Sequence, residues 1–316
     1  MVHLLRIART ADPARYCRNL RMNSLRRQFL RTIFILLLCC HVLAAADSAR
    51  LVVTVPVANL YSGPADGSDV VSQAIYSSNV VVVEEQNSWA KVETSDHYRG
   101  WLSLDNARKL SPAESGYAAS GKVPRVASLS ANLYREPDVT AHRPLLTVPY
   151  EAQLEFLAEG TGDNAGWLQV RLVDGQSAWI QQGDVDFNAH RLTIDESIRL
   201  AKRFLGVTYT WGGRSSFGFD CSGFTQMLVR SRGINMPRDA DLQAAWSGVV
   251  AVERKHLRPG DLLFFGSSAD HITHTGMFIG HGQFIHDTTN GHPGVQISRL
   301  SDQPWTGLLV ACRRTK

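Results

Sequence analysis

Cys221, in the stretch "FGFDCSGF", is the residue of this 316-residue sequence with the clearest chemical potential. Of the five cysteines, Cys17, Cys39 and Cys40 lie in the amino-terminal segment, and Cys312 sits in the apolar run "GLLVACRR", where a thiol behaves as a small hydrophobe. Phe224, Met227 and Leu228 follow Cys221 at helical spacing, which places its thiol on the first turn of a helix. Unpaired N–H groups and the positive end of the helix dipole favour a thiolate there. Taken alone, the same pattern fits a buried, inert cysteine equally well.

A nucleophile needs a base, and the carboxy-terminal part offers His271, His274, His281, His286 and His292. The stretch "HTGMFIGHGQFIHDT" reads as a hairpin with a three-residue turn, Gly280 to Gly282, that sets Ile279 opposite Gln283 and Gly276 opposite His286. His274 then shares a face with His286 as a diagonal pair about 7–8 Å apart. One of the two is suited to take the thiol proton and the other to orient its ring. His281 falls in the turn and His292 in a loop before Pro293. A metal site on His271, His274 and His286 is the rival reading. Residues three apart on a strand face opposite sides, however, and zinc needs three or four convergent ligands, so no metal or other cofactor is expected.

The elements that must hold these groups follow from periodicity. "TIDESIRLAKRFLGV" has Thr193 as N-cap and Glu196 three residues on, a capping box, with Ile198, Ala201 and Leu205 as the apolar stripe. The helix beginning at Cys221 comes next, then the strand runs "DLLFFG", "HTGMFIG", "QFIHDTT", "GVQISRL" and "GLLVACRR". Helices followed by an antiparallel sheet make residues 190–316 an α+β unit.

Residues 50–187 are strand and turn sequence with an internal repeat. "VANLYSGP" (57–64) recurs as "SANLYREP" (130–137), "SWAKVE" (88–93) as "GWLQVR" (166–171), and "RGWLS" (99–103) as "SAWIQ" (177–181). Short β-branched runs bounded by Gly, Pro, Asp and Ser predict two small all-β barrels, 50–110 and 126–187, joined by a linker at 111–125. Their tryptophans read first as core residues.

Ahead of the barrels, Arg26, Arg27 and Arg31 precede the apolar run "TIFILLLCCHVLAAA", which ends in Ala44–Ala45–Ala46 before Asp47. This is the pattern of a secretory signal peptide over residues 1–46, with Met22 as an alternative start. The run is shorter than the roughly 20 residues that span a bilayer, so stable membrane insertion is not expected once the signal is removed. Leu38 is too bulky to precede a lipid-modified cysteine. The net charge of +4 reflects mainly the eight arginines of residues 1–31, opposed there only by Asp12. Without that segment the basicity largely disappears, and a nucleic-acid partner is not supported. Hydrophobic content of 44% with 20% charged residues is that of an ordinary globular protein.

Two resemblances follow from these motifs. An N-L-x-x-x-P opening, a central W-x-x-V and a closing G-W-[LI] resemble the bacterial SH3 (SH3b) domains that accompany cell-wall enzymes. "YTWGG" (209–213), "DCSGF" (220–224), "PRDADLQ" (237–243), "LRPGDLLFF" (257–265), "HTGMFIG" (274–280) and "FIHDT" (284–288) resemble, in order and spacing, the NlpC family of cell-wall cysteine peptidases. The family resemblance implies a papain-like α+β fold with Cys221 as nucleophile, His274 as base and His286 as the polar residue orienting it. It also places Tyr209 beside the nucleophile as an oxyanion donor, with Trp211, Asp220, Ser222, Arg238 and Asp239 as substrate-binding candidates.

The implied substrates are peptidoglycan stem peptides, cut between γ-D-glutamate and the diamino acid. Domain order further resembles members whose first barrel closes the cleft, so that only a free amino-terminal L-alanine fits. In that arrangement Asp220 is expected to pair with the alanine ammonium, and Tyr98, Glu84 and Glu85 are the barrel's candidates. A monomer acting in the periplasm or cell-wall compartment is expected. The alternatives are a wall amidase or acyl transferase on the same Cys/His core, or a non-catalytic wall-binding protein.

Overall fold

The alternating pattern of "VANLY", with Ala58 and Leu60 fully buried, faces one side of a strand inward. It belongs to the first of two barrels in the computed structural model, which describes residues 49–188 and 190–316. The expected signal peptide, residues 1–46, lies outside the described residues. Strands β1 (Arg50–Val53), β2 (Val57–Tyr61), β3 (Val70–Ile75), β4 (Asn79–Gln86), β5 (Trp89–Glu93), β6 (Arg99–Ser103) and β7 (Ala107–Lys109) form one antiparallel sheet in the order β3-β2-β6-β5-β4-β1-β7. It curls around Leu51, Val53, Leu60, Val80, Val92 and Leu102.

The second copy comprises β8 (Arg125–Val126), β9 (Ser130–Leu133), β10 (Leu146–Pro149), β11 (Glu155–Glu159), β12 (Trp167–Arg171), β13 (Ser177–Gln181) and β14 (Val185–Asp186), split among three short sheets. The repeat survives at the level of contacts. Tyr61 meets Trp89 edge-on at 5.4 Å, and Tyr134 meets Trp167 edge-on at 5.6 Å. Asn59 and Asn132 each donate to the tyrosine two residues on.

The stretch expected to be a linker is a packed joint. Tyr117 and Ala118 are buried in the second barrel's core beside Val52 and Tyr76 of the first. Tyr117 donates from its hydroxyl to the Arg171 carbonyl, and its N–H donates to Asn79 Oδ1 at 2.8 Å.

The carboxy-terminal unit opens with α1 (Ile194–Arg203), and its capping box is formed: Thr193 N–H donates to Glu196 Oε2 at 2.8 Å while Glu196 N–H donates to Thr193 Oγ1. The apolar stripe ends earlier than expected. The helix stops at Arg203, the fully buried Phe204 at its C-cap fills the core, and Leu205 is left 47% exposed. A small hairpin, β15 (Arg214–Ser215) and β16 (Gly218–Phe219), leads into α2 (Cys221–Ser231), and α3 (Ala240–Ala245) follows.

The sheet has the order β17-β22-β18-β19-β20-β21, built from β17 (Val249–Ala251), β18 (Leu262–Ser268), β19 (His271–Gly280), β20 (Gln283–Thr288), β21 (Gly294–Arg299) and β22 (Leu309–Thr315). All its pairings are antiparallel. Phe264, Met277 and Ile285 share a core with Phe204, Phe224 and Leu228 of the helical layer. Phe265, Phe284 and Cys312 share another with Trp305 of α4 (Trp305–Leu308). No helix among the described residues is long and apolar enough to cross a membrane.

Candidate active site

The nucleophile candidate is held by an N-cap. Asp220 is extended (φ −101°, ψ 178°), and its Oδ1 accepts from Gly223 N–H at 2.7 Å, which starts α2 at Cys221. A Cβ on Gly223 would lie 2.2 Å from the Gly213 carbonyl, so the close approach of the two segments requires glycine there. The buried thiol has the backbone N–H groups of Thr275 and Ser222 near its sulfur. Burial, and then the Asp220 carboxylate, nevertheless push its pKa up to about 12. Desolvation here works against the helix dipole that favours a thiolate.

Thr275, beside the sulfur, is the chain neighbour of His274 on β19. His274 Nε2 lies 2.7 Å from Nδ1 of the fully buried His286 on β20, and His286 Nε2 lies 3.0 Å from Ser298 Oγ on β21. The turn between β19 and β20 is tighter than expected: Gly280 pairs with Gln283, and His281 and Gly282 take positive φ (51° and 70°) in a two-residue turn. A ladder irregularity between Phe278 and Gly280 absorbs the difference, so Gly276 still faces His286, with 2.8 Å between an added Cβ and that of His286.

Trp305 packs its ring 5.1 Å from that of His274 and 4.8 Å from that of His286, and Phe284 packs 4.4 Å from His286. This apolar surround lowers both proton affinities: burial takes His274 down to about 3 and holds His286 well below its usual value, with His274 adding to the effect on His286. Both rings are neutral at neutral pH. When His286 donates from Nε2 to Ser298 and accepts at Nδ1 from His274 Nε2–H, His274 Nδ1 keeps a lone pair. That nitrogen is free to accept a proton.

The remaining candidates separate into braces and free groups. Arg238 is 2% exposed and donates to Asp220 Oδ2 (2.7 Å), Ser222 Oγ (2.7 Å), Ser72 Oγ (3.2 Å) and the Gly213 carbonyl (3.2 Å). Ser222 in turn donates to Asp220 Oδ1 at 3.2 Å. Arg238, Asp220 and Ser222 thus complete one another, and the carboxylate expected to meet a substrate ammonium already has a cationic partner. Asp239 is different. It stands at the N-cap of α3 without capping it, half-buried, with Tyr98 of the first barrel close by. Burial raises its proton affinity while Arg238 opposes the rise.

Tyr209 lies beside Cys221: burial first, then the charges of Cys221, Asp220 and Asp287, raise its phenol pKa. Trp211 is 71% exposed. Glu84 is exposed on β4 opposite Lys91, and Glu85 pairs with Lys109 at 3.1 Å, so neither joins this cluster. Sequence reasoning did not find Ser298, Trp305, Asp287 or Asp96. Asp96, in the loop before β6, accepts from Gln226 Nε2 of α2 at 2.8 Å and lies 3.3 Å from Arg214 Nη1. Among the described residues no three His, Cys, Asp or Glu side chains converge as metal ligands.

A mixed α+β unit with a helix-borne cysteine beside the strand that carries one of two paired histidines, preceded by SH3-like barrels, defines the class. Residues 206–314 match the NlpC/P60 family and residues 56–107 match the bacterial SH3 domain. The chain belongs to the NlpC/P60 family. It is 34% identical to a gamma-D-glutamyl-L-lysine dipeptidyl-peptidase of Bacillus cereus over 68% of this chain and 66% of that one. Against the Bacillus subtilis protein of the same name it is 28% identical, over 78% and 81%. A crystal structure of an NlpC/P60 family protein from Bacillus cereus superposes with a TM-score of 0.71 at 28% identity, covering 84% of this chain and 99% of that one.

Proposed function

We propose that this protein is a cysteine endopeptidase that cleaves the γ-D-glutamyl–diamino acid bond of peptidoglycan stem peptides. The observation that carries the mechanism is the relay from Ser298 through His286 to His274, on the strand whose Thr275 backbone lies at the Cys221 sulfur. Cys221 Sγ attacks the γ-carbonyl carbon of D-glutamate as its proton passes to His274 Nδ1. The resulting oxyanion is held by the Cys221 backbone N–H and the Tyr209 hydroxyl. Collapse breaks the C–N bond, His274 returns the proton to the leaving amine, and a thioester remains. Water, deprotonated by His274, releases the L-Ala-γ-D-Glu acid and restores the thiol.

The names of the two Bacillus relatives support this bond as the one cut. A requirement for a free amino-terminal L-alanine is supported by Asp239, a half-buried carboxylate with no ion pair among the described residues and with Tyr98 of the first barrel close by. This reading moves ammonium recognition from Asp220 to Asp239. In the same reading the units run 50–110, 126–187 and 190–316 about the joint at 111–125, and the protein works as a monomer. Export to the periplasm or wall compartment would bring it to its polymer.

Mass spectrometry of free stem peptides that begin with an amino-terminal L-alanine, and of muropeptides in which the sugar acylates that alanine, tests the reading against its rivals. Free L-Ala-γ-D-Glu with a trimmed stem is expected from the free peptides with the wild type, and nothing from Cys221→Ala. Whole stems released from the muropeptides would establish an amidase instead, and no products from either substrate would leave a binding protein.

A further inference from the structure

Where the two barrels and the catalytic unit meet, the fold forms a partly open cavity of about 370 Å3 whose lining includes none of Cys221, His274 and His286. Arg125 of the second barrel and Arg214 and Arg230 of the catalytic unit all reach it, against a single lining acid, Glu151. Arg230 spends Nη2 on Glu151 at 2.5 Å, while its buried Nη1 has no hydrogen-bond partner. Arg214, its side chain 11% exposed, has Asp96 at 3.3 Å. The Arg125 side chain enters no ion pair or hydrogen bond among the described residues. Three guanidinium groups thus share two carboxylates in a polar junction, and one positive charge is left over.

We propose that this cavity binds a small oxyanion, a carboxylate or phosphate group, that bridges both barrels to the catalytic unit. Guanidinium groups present paired N–H donors that match such oxyanions, and a charge-assisted contact of this kind is strongest where water is excluded. The state of Arg214 agrees: burial, and then repulsion from Arg230, lower its pKa to about 10, as expected of a cation short of counter-charge. Gly213, next to Arg214, gives its carbonyl to Arg238, and Asp96 holds both Arg214 and Gln226 of α2. An anion in the cavity therefore fixes the first barrel against the segment that leads into the nucleophile.

Titration calorimetry and Tm measurements on the full protein, with inorganic phosphate, succinate and chloride at matched ionic strength, test this without reference to activity. The expected result is saturable binding and a concentration-dependent rise in Tm for phosphate, succinate or both. Phosphate alone would identify a phosphate ligand, and succinate alone a carboxylate. Arg125→Gln is expected to weaken binding at least about tenfold, the worth of one charge-assisted contact, while leaving the unliganded Tm unchanged. Arg125→Lys keeps the charge, folds with the same contacts and retains binding. A response equal to that of chloride, one that does not saturate, or one indifferent to Arg125→Gln overturns the proposal.

Discussion

The Asp96 carboxylate of the first barrel accepts a 2.8 Å hydrogen bond from Gln226, on the second turn of the helix that begins with Cys221. Two residues on, the same loop presents Tyr98 to Asp239. The barrel is therefore fastened to the helix that carries Cys221. Asp96→Ala leaves the Arg214 guanidinium short of its partner and is expected to destabilise the fold by about 2–4 kcal/mol. It should also raise KM more than it lowers kcat, because the loop bearing Tyr98 is released while the Cys221–His274 geometry is untouched. Equal losses in both parameters with an unchanged Tm would contradict this.

Asp220→Asn tests a different link. Its carboxylate is the counter-charge of the buried Arg238, and truncating one member of such a pair typically costs about 3–5 kcal/mol. The expected outcome is a large fall in Tm, shared by Arg238→Ala. The double variant should lose less than the sum of the two. Additive losses in that cycle would show that the pair is not coupled.

Asp287 sets a pH dependence. It is fully buried, both oxygens lack a hydrogen bond of normal geometry, and burial followed by the Asp220 charge raises its pKa from the ordinary 3.8 to about 8. The N–H groups of Phe219 and Thr288 only partly offset this. Between those values the unfolded chain has released a proton that the folded protein still holds, so stability falls as pH rises and levels off above about 8. Asp287→Asn removes the titration. Its Tm relative to wild type should be higher at pH 8 than at pH 4.5, and parallel profiles would refute the assignment.

Gly276 lies against the inner side of His286, and a Cβ there would sit 2.8 Å from that of His286 and 3.0 Å from the Ile285 carbonyl. Gly276→Ala is expected to displace the ring by a few tenths of an ångström or more and to lower kcat by about 10–100-fold with little effect on KM. Ser298→Ala removes the last acceptor of the relay and should lower kcat by about tenfold, one hydrogen bond's worth. Steady-state kinetics on each folded variant decide both.

Most of what was legible in the sequence lay in local spacing. Cys221 at a helix start, and His274 with His286 across one hairpin, need only strand and helix periods to be found. The turn was misjudged by one residue because the irregularity near Ile279 is invisible to simple alternation. Ser298 stands beside His286 only through the β20–β21 register, and a lone serine in a strand gives no signal of that. Asp96 reaches α2 from a loop in another unit, 130 positions away from Gln226. Arg238 and Asp220 were recognised as site residues, but whether each turned to the substrate or to the other depended on burial. Leu205 missed the core because capping ended α1 two residues short of it.

Trapping of the acyl-enzyme tests the central claim most directly. L-Ala-γ-D-Glu–diamino acid tripeptide mixed with the protein, quenched in acid within the first turnovers and mapped by mass spectrometry, should leave the L-Ala-γ-D-Glu acyl group on Cys221. Acetylating the alanine amine should abolish the adduct, as should Asp239→Asn in large part. An adduct on another residue, or product formed at the wild-type rate by Cys221→Ala, would contradict the account.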